Sequence, residues 1–171
     1  LISLGRSAEA FTYQKILSEE NPGAFEAQQK FESAMKLFLE GQLDEAAVLL
    51  TALQEEYPQD KSSGTLLGVV AQRQGRNALA AELFDSYIDT ETVSPSVIQA
   101  AALAKIRSEK AEEALVMLRE AVASQPNNAS ILATYGLALI ELGKPGNEGI
   151  LAVEKSLEMD ASQHRLRLAL A

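Results

Sequence analysis

The chain has 171 residues, of which 47% are hydrophobic and 23% charged, and it contains no apolar run near the roughly 20 residues of a membrane span; a disordered tail and a membrane-spanning segment are both excluded. The net charge is −9, from 24 acidic and 15 basic side chains, with no basic cluster larger than the neighbourhood of Arg165 and Arg167, so nucleic acid is not an expected partner. There is no cysteine, which removes disulfides, thiolate metal sites and cysteine nucleophiles together.

In chain order, Gly5, Ala10, Leu17 and Pro22 outline a turn, a helix and a stop. The same outline returns 36 residues later at Gly41, Ala46, Leu53 and Pro58, with a linker around Gly23 expected to absorb two extra residues. Next come Gly75, Ala80 and Phe84, the last two lying 34 residues after Ala46 and Leu50. Ala114 and Leu118 follow after another 34, and Ala121 and Pro126 close that helix. Tyr135, Gly136 and Gly143 keep the phase, which then slips by one residue in Lys144-Pro145-Gly146-Asn147, read as a longer turn before Val153 and Leu157. Leu166 to Ala171 begins a further helix. The chain starts at Leu1 without a methionine or signal-like stretch, and both ends fall within a unit, so it is expected to be a fragment of a longer array.

Small residues mark where helices come close. Ala34, Gly68, Ala102 and Gly136 recur every 34 residues on the first helix of each unit, and Ala46, Ala80 and Ala114 are expected to face them from the second. Leu50, Phe84 and Leu118 fill the space beside that crossing. Pro58 and Pro126 end second helices, because proline has no amide donor and disfavours helix in the residue before it.

This pattern resembles the tetratricopeptide repeat, best at Leu67-Gly68 with Gly75, Ala80 and Phe84, and at Tyr135-Gly136 with Gly143. The chain departs from it in having no Trp, in Gly64 and Lys105 where large residues are usual, and in Glu109 for the turn glycine. The resemblance covers nearly the whole chain and implies an all-α, right-handed superhelical solenoid of antiparallel helix pairs. It divides residues 1–171 into a second half-unit (1–22), units at 27–60, 61–94, 95–128 and 129–161, and the start of a further helix (162–171).

The resemblance also implies a non-catalytic protein–protein interaction scaffold that holds a peptide or helix in a concave groove lined by the first helices. Carried over residue by residue, the partner-binding set is Phe31, Met35, Phe38, Val69, Arg73, Leu103, Ile106 and Arg107, with Arg73 and Arg107 available to anchor a carboxylate. The apolar members of that set could equally pack as core. Relatives that grip acidic chaperone tails carry Lys and Asn where Thr65, Val69, Leu103 and Leu137 stand here, so that mode is not expected. The phrases GQLDEAAVLL and GVVAQRQGR further resemble repeats of bacterial envelope proteins that assist exopolysaccharide export or surface-protein sorting, which leaves cytoplasm and periplasm both open.

No catalytic, metal or cofactor site is expected. His164 is the single histidine and has neither a Cys nor a second His beside it. Gly143, Gly146 and Gly149 with Lys144 lack the Gly-Lys-Ser/Thr order of a phosphate-binding loop and are read as a turn. Glu55-Glu56 and Glu112-Glu113 are read as solvated helix-surface carboxylates. The expected partner is a protein or peptide. A self-assembling homo-oligomer and a regulatory segment of a larger enzyme are the alternatives.

Overall fold

The computed structural model describes residues 21–88 and 93–160. The half-unit before residue 21, the helix expected at 162–171 and His164 lie outside the described residues. Within them the chain is helical, as α1 (Pro22–Leu39), α2 (Leu43–Glu56), α3 (Lys61–Arg73), α4 (Asn77–Tyr87), α5 (Pro95–Arg107), α6 (Ala111–Ser124), α7 (Ala129–Glu141) and α8 (Glu148–Met159).

Side-chain caps start three of the first helices. The Asn21 carboxamide oxygen accepts from the Ala24 amide at 3.1 Å, the Asp60 carboxylate from Ser62 and Ser63 at 3.3 and 3.0 Å, and Asn128 from Ser130 and Ile131 at 3.1 and 3.2 Å. Burial pushes the Asp60 carboxyl up, but the Ser63 hydroxyl and the two amides outweigh it and hold the group below its ordinary value. Gly23, expected in a linker, lies in the first turn of α1. Pro22 begins that helix, where its missing N–H costs nothing, and the Tyr57 hydroxyl donates to the Gly23 carbonyl at 3.2 Å.

Each hairpin turns in the same way. Gly41, Gly75, Glu109 and Gly143 have φ of 81, 78, 65 and 60°, and the residue after each returns its amide to the preceding helix. These bonds are Gln42 to Leu37 (2.9 Å), Arg76 to Ala71 (2.9 Å), Lys110 to Lys105 (2.8 Å) and Lys144 to Leu139 (3.0 Å). This left-handed helix stop suits glycine, whereas a side chain there costs about 1–2 kcal/mol. Glu109→Gly is therefore expected to stabilise the chain by about 1 kcal/mol, read as a raised urea midpoint. An unchanged or lower midpoint would mean that Glu109 is not left-handed in solution.

Successive hairpins stack so that each cluster of the core draws on neighbours. Ala34, Phe38, Ala46, Leu50 and Leu53 of α1 and α2 pack with Leu66 and Val70 of α3, and Ala71, Ala80 and Phe84 of α3 and α4 pack with Ala101 and Ala104 of α5. Ile98, Ala102, Leu115 and Leu118 then meet Ile131, Tyr135 and Leu139 of α7. The first helices touch one another in the order α1, α3, α5, α7, and the second helices do not do so to a comparable extent. The result is an all-α solenoid whose inner face is made by first helices.

The small residues act differently at different crossings. A methyl group on Gly68 would meet the Phe84 ring, and one on Gly64 the Tyr87 ring. At the last crossing Gly136 and Gly149 bring backbone against backbone. Gly149, expected in a turn, is instead a buried residue of the first turn of α8, and the turn ends at Asn147. It stands where the one-residue slip places the counterpart of Ala46, Ala80 and Ala114.

Lys105 is 4% exposed, and its ammonium reaches Asp85 of α4 and Glu113 of α6, the latter at 3.1 Å. Burial lowers its affinity for a proton, but the two carboxylates outweigh burial and raise the pKa above the ordinary lysine value. A raised folded-state pKa adds stability that is complete below the unfolded value, about 10.4, and is lost as pH rises through the folded one. Lys105→Met, which keeps the buried stem, is expected to cost less than about 1.5 kcal/mol at neutral pH and to flatten the fall in stability above about pH 10.5. Thermal melts at pH 8 to 11 check this; parallel curves for both proteins would remove the buried ion pair from solution.

Candidate functional site

Three first helices enclose a trough on the inner face. Phe31 and Met35 of α1, Lys61, Ser62, Thr65, Leu66 and Val69 of α3, Tyr87, and Val93 and Val97 line a cleft of about 320 Å³. Met35, Phe38, Leu66, Val69, Gln72, Arg73, Ser96, Val97, Gln99, Ala100 and Leu103 line a second cleft of about 490 Å³ that reaches the C-terminus of α3. The two share Met35, Leu66, Val69 and Val97 and so form one trough running along α3.

Helix periodicity puts these residues together. Phe31, Met35 and Phe38 follow the spacing of one helix face, as do Leu66, Val69 and Arg73 on α3 and Ser96, Gln99 and Leu103 on α5. Gln99 also donates to the Ser130 hydroxyl at 2.9 Å, which ties α5 to α7 beyond the trough. The Arg73 guanidinium lies over the Phe38 ring, 4.4 Å from its centre, a cation–π contact across α1 and α3.

Of the eight residues expected to meet a partner, six line the trough: Phe31, Met35, Phe38, Val69, Arg73 and Leu103. Phe38 is only 9% exposed and belongs also to the core between α1, α2 and α3, so it forms the floor. Ile106 is not in the trough and packs on the cluster around Ile98, Ala102 and Leu115. Arg107 lies elsewhere again, beside Gly75, Arg76 and Ser108 at the turn end of the hairpins. Both lie in the last turn of α5, beyond Leu103, and neither lines this trough. Leu66, Val97 and Ala100 also line the trough and lie outside the expected set.

The charge of the trough differs from that of the chain. Among the described residues its only charged lining residues are Lys61 and Arg73, and neither has a carboxylate partner among them. Among those residues no group of three or more His, Cys, Asp or Glu is placed to hold a metal ion, and no helix is long and apolar enough to cross a membrane.

No protein-family model matches the sequence, and no curated protein does. Solved structures do match. MamA from Desulfovibrio magneticus RS-1 superposes with a TM-score of 0.70 at 18% identity, over 82% of this chain and 78% of that one. YrrB, described as a TPR protein with an unusual peptide-binding site, gives 0.70 at 17% over 90% and 77%. TTC0263, a thermophilic TPR protein of Thermus thermophilus, gives 0.65 at 19% over 84% and 79%. With four successive hairpins among the described residues, glycines or Glu109 at equivalent turns, and these neighbours, the chain has the tetratricopeptide-repeat fold.

Proposed function

We propose that the chain is a non-catalytic interaction scaffold built from repeat units 27–60, 61–94, 95–128 and 129–161, and that its trough receives an apolar peptide or an amphipathic helix from another protein. The observation that carries this reading is a solvent-open apolar channel continuous across α1, α3 and α5. Helix-in-groove recognition needs an open apolar channel of this kind.

Leu103 gives the cleanest test. It lines the trough at 36% exposure and lies outside the core clusters, so Leu103→Glu is expected to leave circular dichroism and the melting temperature close to wild type while abolishing partner capture from a cell extract. A partner held equally by both proteins, or by neither, would overturn the reading. A concentration-dependent mass abolished by the same substitution would make a second copy of the chain the occupant. Phe38 is unsuitable for this test, because its side chain is also core.

A further inference from the structure

Resting on that reading, we infer that the occupant is an amphipathic helix lying along α3 with an acidic residue near each end of its apolar face. The first ground is charge. The chain carries 24 acidic side chains against 15 basic ones, yet among the described residues no Asp or Glu lines either half of the trough, whereas Lys61 and Arg73 do. Both cations lack a carboxylate among the described residues, and Arg73 is held by the Phe38 ring with its N–H groups unclaimed by any acid. A segment with acidic ends is therefore complementary to this channel, and one with basic ends is repelled.

The second ground is length. Lys61 and Arg73 are the first and last residues of α3, twelve residues apart, so their backbones are separated by about 18 Å at 1.5 Å per residue. The occupant must present its two acids at that spacing, with apolar side chains between them over Met35, Val69 and Val97.

The third ground is backbone hydrogen bonding. An extended segment would lay its N–H and C=O groups over a mostly apolar channel, where the mid-helix backbones of α1, α3 and α5 are already used within their helices and Gln99 donates to Ser130, which leaves a few side chains, those of Ser62, Thr65, Gln72 and Ser96, to pair with it. A helix satisfies its own backbone and presents only side chains. The acids of such a helix fall about twelve residues apart, whereas those of an extended segment would fall about five or six apart.

A fully random displayed peptide library, panned at low salt on the wild-type chain, Arg73→Glu and Leu103→Glu, tests this. The expected result is enrichment of sequences with apolar residues at helical spacing and Asp or Glu about twelve positions apart. Binding of these sequences should weaken about fivefold or more in Arg73→Glu, with the difference shrinking at high salt. Panning on Arg73→Glu itself should turn one of the two acids into Lys or Arg. Acids five or six apart, or flanks without an acidic preference, would overturn the acid-ended helix while binding lost in Leu103→Glu kept the trough as the site. Sequences that bind Leu103→Glu equally well, or no enrichment, would overturn the trough reading itself.

Discussion

Phe84→Ala is expected to destabilise the chain by about 3–5 kcal/mol, as for other buried aromatic rings. Phe84 is 2% exposed and among the largest buried side chains in the described residues. Its ring lies on Gly68, where an added Cβ would stand 2.8 Å from one ring carbon and 3.0 Å from the next. Glycine has nothing with which to fill the void left by the ring, so little of the loss is recovered by relaxation. The same contact makes the sign of Gly68→Ala depend on its background. With Phe84 present the methyl group collides with the ring and overrides the gain of about 1 kcal/mol from replacing a helical glycine. With Phe84→Ala the obstacle is gone and Gly68→Ala becomes stabilising. Urea denaturation of the four proteins of this cycle gives the coupling directly, and additive energies would show that the ring does not rest on Gly68.

Gly136→Ala should cost about 3 kcal/mol even though it too improves helix propensity. Here the obstruction is main chain: a Cβ would lie 2.7 Å from the Gly149 carbonyl oxygen and 3.0 Å from the Val153 amide, besides 2.7 Å from a Val153 methyl. Trimming Val153 to Ala removes one obstruction of three and should not restore stability. Because solenoid stability is a sum of local and nearest-neighbour terms, the damage should show first as faster amide hydrogen exchange in α7 and α8, with α1 to α4 protected as before. A neutral substitution, or uniform loss of protection, would contradict the backbone contact or the local character of the stack.

Much of this architecture was legible because solenoid packing repeats. The 34-residue interval placed the small residues and the turns, and the turn bond is the same at Glu109 as at the glycines. What escaped was local ambiguity. A proline stands equally well after one helix or at the start of the next, and only the Asn21 cap assigns Pro22 to α1. Gly149 was hidden among turn glycines by the one-residue slip, although its backbone packs directly against that of Gly136. Within the site, the resemblance carried over residue by residue named Phe31, Met35, Val69 and Leu103, which line the trough, but could not tell how far the open face continues along α5. Ile106, in its last turn, is partly buried against the cluster around Ile98, Ala102 and Leu115. Nor did composition show that, in a chain of net charge −9, the charged lining of the trough among the described residues is Lys61 and Arg73.

The trough also bears on how the array melts. Its walls come from three successive hairpins, while α1 and α5 have no contact comparable to those that α3 makes with each of them. An occupant therefore adds a second-neighbour term to a stack held together only by first-neighbour ones. An array of that kind comes apart piecewise from whichever end is weaker. Once the trough is filled, the three hairpins share one ligand and gain or lose it together, so their separate transitions merge into one steeper step.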